Sequence, residues 1–236
     1  MVKKVTEIVE KQISNWSRQN TLGEMPKKKN GKVIFPVITI SREFGSPGAA
    51  LAYYLGDKTG FDVWDKELLK AIAEELGSDH KLIKTLDERR QQAIEDTVSG
   101  FLTNVKTNVN YLHSLIRVVR TIEEHGSGII VGRGANYICD HPDSLHVRLV
   151  APLKYRIAHY ARWKEMSTVK AKELALRKDR ERTEFIRQNF QKDASNPLDY
   201  DLVINFEKFN MEQMAELVVS AYEIKTGKKL KLKMQT

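Results

Sequence analysis

Ser41, Arg42, Glu43, Gly45, Ser46 and Gly48 fall within one stretch, Ser41-Arg42-Glu43-Phe44-Gly45-Ser46-Pro47-Gly48. An apolar run precedes it and Ala49-Ala50-Leu51-Ala52 follows it. Strand, glycine turn and helix, in that order, aim backbone N–H groups at phosphate oxygens near a helix N-terminus. The side chains differ from those of a full phosphate-binding loop. In G-x-x-x-x-G-K-[ST] the lysine meets the β/γ-phosphates and the hydroxyl meets Mg²⁺. Registered on Gly45 and Gly48, the lysine position holds Gly48, and Ala49 and Ala50 follow. Pro47 removes one further N–H donor. Two readings stand: a tight connection, or a cradle made of backbone donors. Arg42 and Glu43 also have two. They form a surface ion pair, or Arg42 replaces the missing lysine while Glu43 holds Mg²⁺ through water, since hard cations prefer oxygen ligands.

Three more groups carry possible chemistry. Asp65 follows Phe61-Asp62-Val63-Trp64 and precedes Lys66-Glu67-Leu68. It caps the next helix, or places a charge beside an acceptor, and the two roles are compatible. Arg133 lies between Gly132 and Gly134, directly after Ile129-Ile130-Val131. An arginine in that setting has room to reach into a cleft and grip phosphate bidentately, which is preferred here over a structural ion pair. The helix containing Arg177, Arg180, Arg182 and Glu184 is dense in charge, with Arg177, Arg180 and Glu184 on one face. It is a solvated face, or a basic helix that closes over a transferring phosphoryl group.

These groups need a frame. Residues 33–40, 61–65, 128–132, 145–150 and 201–205 read as strands, with helices over 48–58, 66–76, 155–163, 169–190 and 211–224. Between 78 and 124 only helices are expected, over 81–94, 98–109 and 111–124. Strands alternating with helices predict an α/β fold, a doubly wound parallel sheet whose ligands bind at the carboxyl ends of the strands. Ser41, Arg42, Asp65 and Arg133 all fall there. An amphipathic helix over 5–16 and a polar linker over 20–32 come first. The main domain covers 33–225, with a helical subdomain near 78–125 and a lid near 165–195. A basic tail, 226–236, follows.

The chain has 236 residues, 41% hydrophobic and 30% charged, with a net charge of +8. This suits one sizeable domain. No apolar run reaches the ~20 residues of a membrane span. The charged N-terminal stretch is not read as a signal peptide. The lone Cys139 excludes an internal disulfide framework and suits a cytoplasmic protein. Basic surface serves nucleic acid or small polyanions, but no RNA-recognition motif, zinc finger or aromatic-interleaved basic stripe is found. Nucleic acid is therefore the least favoured partner. The helix over 5–16 packs on its own domain or on a second copy.

With those residues placed, the chain resembles the cytidylate kinase-like family, a branch of the P-loop nucleoside monophosphate kinases. The matching segments are Ile38 to Ser46, Trp64-Asp65-Lys66-Glu67-Leu68, Ile129 to Ala135, Lys178-Asp179-Arg180-Glu181-Arg182 and Asn196 to Asn205. The resemblance implies a P-loop kinase core, a helical monophosphate-binding subdomain and an arginine-bearing lid. It implies phosphoryl transfer from ATP, with Mg²⁺, to a nucleoside monophosphate such as CMP. Carried over, residues 41–48 hold the donor phosphates, with Ser41, Arg42, Glu43, Gly45, Ser46 and Gly48 forming the loop. Asp65 and Arg133 hold the acceptor, and Arg42, Arg180 and Arg182 stabilise the transferring group. No metal ligand is assigned beyond Glu43 through water. The departures are the missing lysine and hydroxyl, and Gly134 where an acid often follows the phosphate-gripping arginine. They leave a second expectation, a catalytically degenerate nucleotide-binding regulator, beside the kinase.

Overall fold

The structure, a computed structural model, describes residues 7, 9–16, 36–74, 78–101, 109–230 and 232. The linker expected over 20–32, the start of the expected strand at 33–35, residues 75–77, residues 102–108 and the end of the basic tail lie outside them.

Five strands form one sheet: β1 (Ile38–Arg42), β2 (Asp62–Trp64), β3 (Gly128–Val131), β4 (Leu145–Val150) and β5 (Leu202–Asn205). All pair in parallel, in the order β2-β3-β1-β4-β5. Helices cover both faces. They are α1 (residues 9–16), α2 (Gly48–Thr59), α3 (Lys66–Glu74), α4 (Ser78–Ile83), α5 (Glu88–Phe101), α6 (Val109–His125), α7 (Ala135–Ile138), α8 (Leu153–Trp163), α9 (Thr168–Phe190) and α10 (Met211–Thr226). This is the expected doubly wound α/β fold, and 2-3-1-4-5 is the sheet order of P-loop kinases.

Alternation along each strand divides the core. Ile38, Ile40, Ile129, Val131, Leu145, Val147 and Leu149 face α2 and α10. Val37 and Ile130 face the other way, against Trp64, Ile72, Leu115 and Leu112. Each side chain of this size contributes about 1.5–3 kcal/mol when fully buried. On that second face β4 presents His146 and Arg148 instead of apolar groups. A bond of 2.8 Å joins His146 Nδ1 to Thr39 Oγ1. The sheet is thus apolar throughout one face and polar at one end of the other, where a cleft opens.

The helix expected over 81–94 is two helices. Thr85 and Leu86 donate back to Leu82 and Ile83 at 3.0 Å each, closing α4. Asp87 then caps α5 by accepting the Arg90 N–H at 3.0 Å. A polar cap mid-segment stops one helix and starts another, and the apolar stripe alone does not show this.

The amphipathic N-terminal helix packs on its own domain. Val9 and Trp16 are buried, and Gln12 Nε2 donates to Asp62 Oδ2 at 2.7 Å. The Trp16 ring stacks on His125, with centroids 3.8 Å apart and planes 9° apart. Of the two seats expected for this helix, its own domain is the one that receives Val9 and Trp16; Val5 and Ile8 lie outside the described residues. No helix among the described residues is long and apolar enough to cross a membrane.

His125 and His146 are each lowered to about 4, first by burial. Thr85 Oγ1 gives its single proton to Leu82 O at 2.6 Å. Its 2.7 Å contact with His125 Nε2 must then have the imidazole as donor, with the ring neutral. Both histidines bind protons more readily in the unfolded chain, where the ordinary value is about 6.5. Their contribution is complete above that value and is lost as pH falls towards about 4. A melting series from pH 7 to pH 4.5 should show Tm falling by roughly 5 °C or more. His125→Gln should narrow that difference; an unchanged pH dependence would exclude His125 as a contributor.

Candidate functional site

β1, β3 and β4 end at one edge, and the chain leaving them forms the floor of a cleft of about 680 Å³. Arg42 comes from the end of β1, Arg133 from the turn after β3, Arg148 from inside β4 and Arg182 from α9; all four line it. Ser41 and Arg148 are direct partners in the β1–β4 register. Residues 107 apart in sequence therefore act together.

The side chain of Arg42 passes between two glycines. A Cβ on Gly48 would lie 3.1 Å from Arg42 Cγ, and one on Gly132 would lie 1.8 Å from Arg42 Nη1. Gly132 also has φ of +76°, a left-handed conformation that glycine adopts without a steric penalty. The stem of Arg42 thus packs against Gly48, and its guanidinium against Gly132. Arg133 itself has φ of +57°. Its guanidinium lies 5.6 Å from the Phe185 ring centroid, and its Nε is buried without a hydrogen-bond partner. Arg148 donates from Nη1 to Ser41 Oγ and to Tyr200 Oη, each at 3.2 Å. Tyr200 in turn donates its proton to Ala194 O at 2.9 Å, leaving its oxygen to accept. Arg182 Nη1 donates to Arg42 O at 3.0 Å, and its guanidinium lies 5.6 Å from the Phe44 ring centroid.

Charge pairing separates these arginines from the other cations of the cleft. Lys66 pairs with Glu67 at 3.0 Å, Lys70 with Glu74 at 3.7 Å and Lys178 with Glu181 at 2.6 Å. Among the described residues, Arg42, Arg133, Arg148 and Arg182 have no carboxylate within 4.0 Å. The guanidinium of Arg42 is pushed down to about 9, by burial first and then by the charges of Arg182 and Arg133. Arg182 is lowered by burial too, with Asp179 opposing. Uncompensated cations that are partly removed from water make a site for an anion.

The glycine loop is held differently from the expected cradle. Arg156 is buried behind it and donates to Phe44 O at 2.9 Å. Arg156 pairs with Glu43 at 3.1 Å and with Asp179 at 2.6 Å. The Phe44 N–H, a donor that would serve phosphate, is accepted by Asp179 Oδ1 at 2.7 Å. Ser46 Oγ turns back to Glu43 O at 2.9 Å, and Gly45 has φ of +84° with Arg156 O 2.9 Å from where its Cβ would be. Ser41, Arg42 and Glu43 line the cleft, while Gly45, Ser46 and Gly48 stay outside its walls.

Asp65 takes its capping role: Oδ1 accepts the Glu67 and Leu68 N–H groups at 3.0 and 2.9 Å, and Oδ2 accepts the Tyr53 hydroxyl at 2.8 Å. On α9 the buried Ala175 and Ile186 set the inward face. Asp179 and Arg182 follow at helical spacing and turn in. Arg180 is one position, or 100°, away from Asp179; it is exposed and outside the cleft. Arg148 and Asp179 were not among the residues singled out from sequence. The signal for Arg148 was present: an apolar parallel strand interrupted on alternate positions by His146 and Arg148 marks a face that opens onto something polar.

The fold and this cleft define the class, a P-loop-kinase type of α/β protein with an arginine-lined site at the carboxyl ends of its strands. Residues 37–208 match the Cytidylate kinase-like family, and the chain belongs to it. A solved structure of an uncharacterized protein from Eubacterium ventriosum superimposes with a TM-score of 0.64 at 18% identity, covering 80% of this chain and 98% of that one. That likeness concerns the fold. The chain is also 32% identical over 96 residues to a uronate isomerase of Corynebacterium glutamicum, a match spanning 40% of this chain but only 18% of that protein.

The family implies ATP and Mg²⁺. Mg²⁺ requires oxygen ligands in near-octahedral array. Glu43 Oε2 is engaged by the Ala151 N–H at 3.1 Å as well as by Arg156; Asp179 and Asp65 are engaged as described. Ala49 and Ala50 offer no hydroxyl. Among the described residues no three of His, Cys, Asp and Glu are grouped to hold a metal. Among the described residues this leaves Glu43 Oε1 beside the loop, too few oxygens for a protein-held divalent cation.

The glycine–arginine packing has a measurable consequence. Gly48→Lys, which restores the lysine of a full P-loop, collides with Arg42 and should cost about 1–3 kcal/mol, or roughly 2–10 °C in Tm. Combining it with Arg42→Ala should recover most of that loss, a strongly non-additive pair. Additive thermal shifts would show that the two side chains do not compete for the same space.

Proposed function

We propose that this protein is a nucleotide phosphotransferase, moving the terminal phosphoryl group of ATP to a nucleoside monophosphate such as CMP. The convergence of four arginines with no described carboxylate within 4.0 Å, from β1, the turn after β3, β4 and α9, carries this reading. In such a transfer an acceptor phosphate oxygen bonds to the γ-phosphorus, the bond to the β,γ-bridging oxygen breaks, and ADP leaves. The acceptor oxygen is already ionised, so no strong base is needed and the barrier is mostly charge and position. Arg133 grips the acceptor phosphate. Arg42 and Arg182 neutralise the group in flight, and Arg148 fixes the phosphates from the floor. Helix α9 acts as the lid, and α4, α5 and α6 form the subdomain on the acceptor side. Family membership supports the same assignment.

One observation favours a second reading. Asp179 accepts the Phe44 N–H at 2.7 Å, so a protein carboxylate occupies a position that a donor phosphate would take in a working loop. A protein that keeps this contact binds nucleotide without turning it over.

A coupled ADP-release assay, with ATP and Mg²⁺ against CMP, dCMP, UMP, AMP and GMP, separates the two. Turnover with one acceptor, reduced about 10²–10³-fold in Arg133→Ala, is the expected result. Absence of turnover with every acceptor, in folded protein that binds ATP by calorimetry, would leave the binding protein as the answer.

A further inference from the structure

The cleft differs from a metal-assisted site in how it balances charge. Arg42, Arg133, Arg148 and Arg182 bring four cations to one space, and among the described residues none of them has a carboxylate within 4.0 Å. The acids nearest the loop are already engaged: Glu43 and Asp179 by Arg156 and by backbone N–H groups, and Asp65 by the start of α3. Arg133 Nε is buried without a partner. Among the described residues Arg148 donates hydrogen bonds only from Nη1, and its guanidinium lies 5.3 Å from the Tyr200 ring centroid, which leaves the other N–H groups of its fork for a ligand. Guanidinium forks match phosphate oxygens in pairs.

We infer that the cleft takes the polyphosphate of its ligand as the free anion, with the four arginines in the place of Mg²⁺. The inference rests on the reading of the cleft as a nucleotide site. A divalent cation on the phosphates halves the charge of ATP from four to two. It also brings a positive ion up to guanidiniums that have no counter-charge of their own. Among the described residues no three of His, Cys, Asp and Glu are grouped to hold the ion, and no carboxylate lies within 4.0 Å of the four guanidiniums, so little on the protein offsets that repulsion. Metal-free ATP and inorganic pyrophosphate are therefore the better ligands. Arg148 is a binding residue for the phosphates, through the part of its fork that Ser41 and Tyr200 leave open.

Calorimetric titration of the full chain with ATP and with pyrophosphate, in excess EDTA and again in saturating Mg²⁺, tests this. The expected result is binding of both ligands in EDTA, tighter than in Mg²⁺ or at least not weaker by about tenfold. Arg148→Met should weaken binding about 10–100-fold in both buffers, the loss of one charged hydrogen-bonding group. Because Arg148 also supports Ser41 and Tyr200, Arg42→Met serves as the second variant, and the thermal melt of each shows that it folds. ATP binding that requires Mg²⁺, or tightens more than about tenfold with it, would overturn the inference and leave the kinase reading standing. Absence of binding by either ligand in both buffers would overturn the two together.

Discussion

Four guanidinium groups gathered with no described carboxylate within 4.0 Å of them form the constraint on which the site depends. Two like charges 4 Å apart repel by about 4 kcal/mol at an effective dielectric constant of 20, and burial adds a desolvation cost. The free protein holds this arrangement because rigid parts impose it. Arg42 and Arg148 stand on central strands of a parallel sheet with an apolar opposite face. Arg182 is turned inward by the buried face of α9, and Arg133 is fixed by a left-handed turn between glycines. An anion entering the cleft relieves the repulsion. A positive field in the cleft therefore follows from the fold before any single contact is considered.

The two glycines beside Arg42 explain the departure from the usual phosphate loop. A lysine at position 48 would crowd the present path of Arg42, since Arg42 Cγ lies 3.1 Å from where a Cβ would be. A cation from the strand end passes Gly48 with its stem and brings its guanidinium to Gly132. Freed of that lysine, the loop folds back on Arg156, Glu43 and Asp179 and becomes a structural joint between β1, α8 and α9. A joint of this kind links loop geometry to the position of α9, because Asp179 and Arg182 lie on the same helix face and contact residues 44 and 42.

Arg156 has the opposite environment to the four cleft arginines. It is buried with two carboxylates and two carbonyls around it, which is what a structural arginine requires. The same residue type thus serves two purposes within one region. What separates them is the presence of acids within 4 Å, not exposure or position along the chain.

Much of this protein could be read from its sequence alone. Local order was legible because it depends on neighbours: apolar runs marked the strands, glycines marked the turns after β1 and β3, and amphipathic spacing marked α3, α6 and α10. The family could be read from motif order, and Arg42 and Arg133 from their place at strand ends. Asp65 carried its capping role in its position before Lys66-Glu67-Leu68. Tertiary structure alone decided which charges are paired. Ser41 meets Arg148 across 107 residues, Phe44 meets Asp179 across 135 and Arg42 meets Arg182 across 140. Helix phase chose Arg182 over Arg180 through which side of α9 found a core to bury against. Residue type determines that a charge exists; sheet register and helix packing determine whether an opposite charge stands within reach of it.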